Sequence, residues 1–522
     1  MENEQLNEFT PAEHYHQIRS YFDIIDNAIQ VGDTNRRYVP SKDPASPKDI
    51  NDNSYTTFNI SPKGENMIDL YNTNLLFTYK GTYKLATKVD ASAIPNTNNP
   101  AIWLGCDDSI YFAGSYQILA NGRSVYSTDN AIFEAYVISN CETTETVKKV
   151  DVFSKTRHAD VWKRVNTVRS GQVVDCGGKV ANSEINVEIP LKLPVRKFLP
   201  FAAIRFLLDL AGNIQIKVKF TSDALQVCPL SVEDCLITPN NVAKVKTYPK
   251  LTNHFVPWSQ EFTMITSVTQ DSSTKEITIT TGKQKLTKVK AQFIDCGVLG
   301  KNFSLDPNVY AELVEHYTNQ ALCFPIKVMD WMPMDGTISD KAGSKCTFTR
   351  EYTPINVNSI WFLFQKTPEY LTNFENPLFN DVQLFMGAYG AIPSEPESTN
   401  SPAYYEIVSN ACNTNNDMIG FNVDVMKSLT TLANEDTGYV SNDTTHFLMG
   451  FPTETDFTFQ QGQASNSPIT YKLTVTTSQA NTPFKEKPQI GFLRHCCFAI
   501  QARPNGPPDI KIDDYNLAAE AE

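Results

Sequence analysis

The stretch SYQILANGRSVYST, residues 115–128, sets two short runs rich in Ile, Leu, Val and Tyr on either side of Asn121-Gly122. Asn-Gly between β-formers is a strong hairpin signal, because both central positions of the tight turn need positive φ. The same grammar recurs along the chain. In NIQIKVKFT, residues 213–221, Ile214, Ile216, Val218 and Phe220 alternate with Gln215, Lys217 and Lys219, the period of a half-buried antiparallel strand. A slip of one residue would turn both lysines into the core, so the pattern also fixes register. ITYKLTVTT, residues 469–477, repeats it, with Ile469, Tyr471, Leu473 and Val475 inward and Thr470, Lys472 and Thr474 outward.

Other strand-forming runs are YTTFNIS (55–61), LLFTYKGTYKLAT (75–87), EITITTG (276–282), KVKAQF (288–293), FPIKVMDWM (324–332), SIWFLFQ (359–365) and IGFLRHCCFAIQ (490–501). IPLKLPVRKFLPFAAIRFLLDLAG (189–212) reads as a connection punctuated by Pro, ending in a turn at Ala211-Gly212-Asn213. Helices are few. The pattern predicts a short one over NAIFEAYVISN (130–140) and one over PNVYAELVEHYT (307–318).

A third helix opens the chain, where Thr10-Pro11-Ala12-Glu13 forms a capping box with Pro at the first helical position. Behind it Tyr15, Ile18, Phe22, Ile25 and Ile29 make a stripe on one helix face, the candidate partner-binding residues. That face either packs on its own domain or docks on a neighbouring subunit or underlying layer. Residues 35–54 are polar and Pro-containing and read as a linker, and the acidic end DDYNLAAEAE reads as a mobile tail.

The chain has 522 residues, of which 41% are hydrophobic, and 30 are Pro and 23 Gly, a turn-rich composition that favours β structure. Since all-β sandwiches reach roughly 200–250 residues, two large cores are expected. A polar interval near residues 231–257 places the boundary at about 248. The divisions expected are an arm at 1–50, one sandwich over 51–248, a second over 249–508, and the tail at 509–522.

Composition also limits function. The net charge is −13, without a long run of Lys or Arg, and residues 1–33 carry seven acids against Arg19, so direct nucleic-acid binding is disfavoured. Eleven irregularly spaced cysteines without an amino-terminal signal segment read as buried free thiols in a reducing compartment, Cys496-Cys497 included. Three sequons, at Asn59, Asn302 and Asn442, then read as chance matches. The longest apolar stretch, Phe198–Gly212, is broken by Pro200, Arg205 and Asp209, short of the roughly 18 clean residues of a membrane span, so a soluble protein is expected.

No phosphate loop, dinucleotide turn, HExxH pair or GxSxG elbow occurs, and the seven histidines are dispersed. His14 and His16 stand two apart, which on a helix puts them on different faces. Asp107-Asp108 and Asp513-Asp514 read as solvated loop charges, since neighbours on a strand point to opposite faces. Neither a catalytic site, a cofactor nor a metal is expected. Carboxylates gathered from distant strands would be invisible here. A carbohydrate-binding or carbohydrate-active β-sandwich therefore stands as the alternative, with Trp103, Trp162, Trp258, Trp331 and Trp361 as candidate sugar platforms.

In order, the chain carries SIYFAGSYQILANGRSVYSTDNAIFEAYVISN (109–140), EIPLKLPVRKFLPFAAIRFLLDLAGNIQIKVKF (188–220), and an Asn376-Pro377 segment leading into VQLFMGAYGAIP (382–393). This succession resembles the double jelly-roll major capsid proteins of the virophage, Polinton (Maverick) and adintovirus group. It spans roughly residues 50–505, outside which no role is inherited. The resemblance implies an all-β fold of two tandem eight-stranded jelly-roll sandwiches, with short helices in the loops beside the N-terminal helix. It implies a non-enzymatic capsid subunit that self-assembles as homotrimeric, pseudo-hexagonal capsomers of an icosahedral virion. Its partners would be itself, neighbouring capsomers, and penton and minor capsid proteins. The chain would be made in the host cytoplasm. A capsomer-like assembly scaffold is a further alternative.

Overall fold

The computed structural model describes residues 39–62, 66–86, 102–141 except 107, 171–174, 184–229 except 203, 256–319, 322–413 except 340, 447–453, 462–478, 484–503 and 506–514. The N-terminal helix and its stripe from Tyr15 to Ile29 lie outside these residues.

Among the described residues, sixteen strands precede the helix that leads into the second sandwich. They are β1 (Val39–Pro44), β2 (Ile50–Asn51), β3 (Tyr55–Asn59), β4 (Met67–Asp69), β5 (Asn74–Leu85), β6 (Ile102–Gly105), β7 (Ala113–Ala120) and β8 (Arg123–Thr128), then helix α1 (Ala131–Cys141). There follow β9 (Gly171–Val174), β10 (Glu184–Pro194), β11 (Phe206–Leu208), β12 (Ile214–Phe220), β13 (Gln226–Pro229), β14 (Val256–Pro257), β15 (Glu261–Gln270) and β16 (Ile277–Phe303). Helix α2 (Pro307–Asn319) leads to β17 (Leu322–Pro333), β18 (Asp335–Gly336), β19 (Lys345–Tyr352), β20 (Val357–Leu363), β21 (Asp381–Met386) and β22 (Ala391–Glu397). Helix α3 (Pro402–Asn413) precedes β23 (Met449–Pro452), β24 (Ile469–Thr476), β25 (Gln489–Arg503) and β26 (Gly506–Asp514).

The pairings sort these strands into two sandwiches of one topology. In the second, one sheet runs β17-β25-β20-β23 and the other β19-β24-β21-β22. Taken in chain order as B to I, these are sheets BIDG and CHEF, the jelly roll. The first sandwich repeats the order, with β1 and β2 beside β16, then β5 and β10, facing a sheet β3-β12-β7-β8. The fold is a double jelly roll.

The inward residues of the alternating strands make the cores. Strand β12 buries Ile214, Ile216, Val218 and Phe220 and leaves Lys217 and Lys219 partly exposed. Phe220 stacks on Phe293 of the opposite sheet with centroids 5.0 Å apart, and Phe77 lies 4.5 Å from Phe220, so aromatic rings close the first sandwich. In the second, Phe492 of β25 stacks on Tyr352 of β19 at 4.0 Å. Strand β24 buries its expected face and also Thr474, which the alternation turns outward. The Asn-Gly hairpin forms as read, with φ of 50° at Asn121 and 79° at Gly122 joining β7 to β8.

Four sequence expectations are corrected. A boundary at 248 would cut off β16, whose residues Leu286–Leu299 pair with β5; the first sandwich is completed only by this strand, through Phe303. The run 231–257 is polar because it lies in the connection between strands H and I, not between domains. Residues 39–44, read as linker, form β1 against Gly297–Asn302. The Pro-punctuated connection begins as strand β10, paired with β5 from Glu184 to Pro194; it stands at the end of its sheet, its second proline closes the strand, and Pro190 faces outward. A boundary at 508 splits β26, which pairs with β25 from Gly506 to Asp514, so the tail begins as a strand and Asp513 and Asp514 belong to a ladder.

Candidate functional site

The described residues gather their unusual chemistry at the joint between the two barrels. Helix α1 occupies it because its sequence, AIFEAYVISNC, is apolar nearly all round, and every residue is buried. Phe133 meets Trp331 of β17 edge-to-face at 5.7 Å, and Tyr136 meets Phe374 of the second barrel at 4.6 Å. The Tyr136 hydroxyl donates to the Phe447 carbonyl at 2.8 Å. Phe201, in the connection between β10 and β12, packs near Phe498 of β25 at 6.2 Å. These contacts belong to one continuous apolar cluster that includes residues from both sandwiches.

Polar ties surround this core. Asn121 of the hairpin turn donates its Nδ2 to the Pro508 carbonyl at 3.2 Å, and its Oδ1 accepts from the Asn213 amide at 2.9 Å. Gln226 Nε2 donates to the Thr372 hydroxyl across the joint. The Tyr310 hydroxyl on α2 donates to Asp209 at 2.7 Å. Each tie fixes a loop of one barrel or the connecting helix at a chosen angle.

Glu134 lies buried among these groups. Tyr116 and Tyr126 donate hydroxyls to its two oxygens at 2.6 and 3.3 Å, and burial nevertheless pushes its carboxyl up to about 7. Asp330 of the second barrel adds to that rise, while itself accepting Arg494 Nε and the Tyr352 hydroxyl, both at 2.7 Å. Asp108, expected to be a solvated charge, is fully buried and ion-paired with Lys197. Its Oδ1 caps the short helical turn Ser109–Phe112 through the Ile110 amide, and its Oδ2 accepts from Ser139 of α1 at 3.2 Å. The sequence cue was weak, because Asp108 reaches Lys197 only after 88 intervening residues have folded. Glu134 had a clearer signal, an acid alone in an apolar helix.

A second polar cluster sits where Lys288 Nζ donates to Asp52 at 2.6 Å and to the Ser222 hydroxyl at 3.1 Å, over the Trp258 ring at 5.0 Å. The Ser222 hydroxyl and amide in turn donate to Asp52 at 2.9 and 2.7 Å, so the cluster ties β16 to the loops that carry Asp52 and Ser222. At the same end, the connections D–E, F–G and H–I of the first barrel supply strands β6, β9, β13 and β14, which assemble into a separate four-stranded sheet. Loops at one end of a jelly roll can elaborate in this way without disturbing the sandwich.

Among the candidate sugar platforms, Trp361 is fully buried with its indole N–H on the Ser359 hydroxyl at 2.9 Å, Trp331 is buried in the joint, and Trp258 lies under Lys288. Trp162 and the side chain of Trp103 lie outside the described residues. Of the seven histidines, the described side chain is His495, half-buried in β25, where desolvation and then Lys327 hold its pKa well below the ordinary range. Among the described residues no cluster of three His, Cys, Asp or Glu could hold a metal, and no helix is long and apolar enough to cross a membrane.

No protein-family model and no curated protein matches the sequence. Among solved structures, the chain is similar to the mavirus major capsid protein, with 9% identity, a TM-score of 0.49, and 94% of this chain and 93% of that one covered. It is similar to a chain of the Sputnik virophage, at 11% identity and a TM-score of 0.47 with 94% and 91% covered. The Faustovirus major capsid protein aligns at 7% identity and a TM-score of 0.43, over 94% and 98%.

Proposed function

We propose that this chain is a major capsid protein, a non-enzymatic subunit that self-assembles as homotrimers into an icosahedral viral shell. The observation that carries the reading is the union of two jelly rolls of identical strand order through one buried joint. Two such barrels moving as one body make a tall, stiff block. Three copies about a threefold axis would present six similar sides to neighbours, each interface matching two different edges of one chain. The sequence resemblance points the same way. The first-barrel loop sheet supplies a surface that can vary while the tiling edges stay fixed.

In this reading the arm before Val39 contacts another capsomer or an inner component through Tyr15, Ile18, Phe22, Ile25 and Ile29. Penton and minor capsid proteins are the further partners, and genome contact falls to other proteins. The chain is made in the host cytoplasm and ends in the virion.

Purified full-length protein, sized by light scattering and viewed by electron microscopy, should give trimers with a hexagonal outline. A strict monomer that binds oligosaccharide arrays would overturn the assignment in favour of a carbohydrate-binding sandwich. Replacing Ile18, Phe22 and Ile25 together with Ser should leave trimers intact and reduce particle yield; unchanged yield removes the arm from assembly.

A further inference from the structure

Both barrels place a helix directly after strand F, α1 in the first and α3 in the second. The eleventh residue of each is a cysteine, Cys141 ending α1 and Cys412 next to the end of α3. Their Sγ atoms lie 3.2 Å apart, and both residues are buried. Two tyrosines hold the helices in this register. The Tyr136 hydroxyl donates to the Phe447 carbonyl at 2.8 Å, and the Tyr404 hydroxyl donates to the adjacent Leu448 carbonyl at 3.4 Å. The segment leading into β23 is therefore gripped by both helices, and the two thiols are brought together by the joint itself.

Two thiols at this distance can hydrogen-bond, bind a metal, or oxidise. Metal binding needs more ligands, and among the described residues no third His, Cys, Asp or Glu completes a set. Closing the gap to a covalent S–S bond requires a movement of about 1 Å. We propose that Cys141 and Cys412 are a disulfide-forming site, a covalent latch between the two barrels that closes under a peroxide oxidant and reopens under a thiol reductant.

The chemistry balances. One thiol attacks hydrogen peroxide, breaking the O–O bond, forming a sulfenic acid and releasing water. The second thiol attacks the sulfenic sulfur, the S–S bond forms, and the displaced hydroxide leaves as water with the second thiol's proton. Two thiols lose two electrons and the peroxide is reduced to two waters. A small uncharged oxidant suits a buried pair. The bond would tie residues 271 positions apart, a long loop whose closure restrains the unfolded chain. A subunit folded in reduced form would thus gain stiffness on reaching an oxidising medium, whatever it assembles into.

The test treats native full-length protein with hydrogen peroxide, blocks remaining thiols, and maps disulfides by non-reducing peptide mass spectrometry. The expected result is a Cys141–Cys412 linked peptide, lighter by two hydrogen atoms than its reduced pair, as the first disulfide to form. Its formation should raise the thermal midpoint by roughly 2–5 °C, and dithiothreitol should reverse both changes. Cys141→Ser or Cys412→Ser should abolish link and shift, while Cys296→Ser, buried elsewhere, keeps them. If wild-type Cys141 and Cys412 both stay open to alkylation after other thiols have oxidised, or the linked form melts no higher than the reduced one, the latch is refuted. The wild-type mapping decides the matter even if a variant folds poorly.

Discussion

Replacing Glu134 with Gln should make this protein more resistant to urea at alkaline pH and change it little at acid pH. Glu134 is enclosed by α1, β7, β8 and the second barrel, and its carboxyl sits at about 7 against an ordinary 4.5. Desolvation raises it, and the donors Tyr116, the Leu199 amide and Tyr126 recover only part of the loss. The folded state thus holds this proton more tightly than the unfolded chain. Stability from this residue is greatest below 4.5, declines as pH rises, and is fully lost above about 7. At about 1.4 kcal/mol for each tenfold change in proton affinity, the whole span is worth about 3 kcal/mol. Most of it, about 2.5 kcal/mol, falls between pH 5 and pH 8. Gln cannot ionise, and its amide can still accept from Tyr116 and donate toward Tyr126. Urea titrations of both proteins, followed by the fluorescence of buried Trp331 and Trp361, should show the variant gaining on wild type across that interval. Other titrating groups act equally in both proteins and cancel in the difference. A difference that stays constant from pH 5 to pH 8 would refute the argument.

Three further substitutions test the joint and the cores. Lys197→Met should cost about 3–5 kcal/mol in urea stability by stranding the buried Asp108 carboxylate, and adding Asp108→Asn should recover much of it. Gly450→Ala would set a Cβ 2.5 Å from the Trp361 ring, which is wholly buried, so a loss of about 1–3 kcal/mol is expected from the denaturation midpoint. Asn121→Ala removes the bonds to Pro508 and Asn213 together with a residue suited to positive φ. It should cost about 1–3 kcal/mol and increase amide hydrogen exchange in β26 as well as in the hairpin, a coupling that a purely local turn would not produce.

Local physics was legible along the chain wherever one face of an element is wet. The turn at Asn121-Gly122, the alternation of β12 and β24, and the one-faced helix α2 were all readable, because a period of two, a helical stripe or the backbone demand of a turn is written in neighbouring residues. Thr474 departs from the alternation because the packing around β24 covers both faces at that point, something its own neighbours do not encode. The paired barrels were suggested by the recurrence of these patterns, and the order BIDG and CHEF in each came only with the ladders.

What the sequence by itself determined is the predominance of strands, the inward and outward faces of the half-exposed ones, and the presence of two β cores, all consequences of short-range hydrophobic periodicity. Only the tertiary structure decided which strand completes which barrel and what the buried polar groups do. Strand β16 crosses back to β5 over some 200 residues, Lys197 reaches Asp108 across 88, and Cys141 meets Cys412 across 270. Such pairings depend on the summed packing of both barrels, and no local pattern carries that sum.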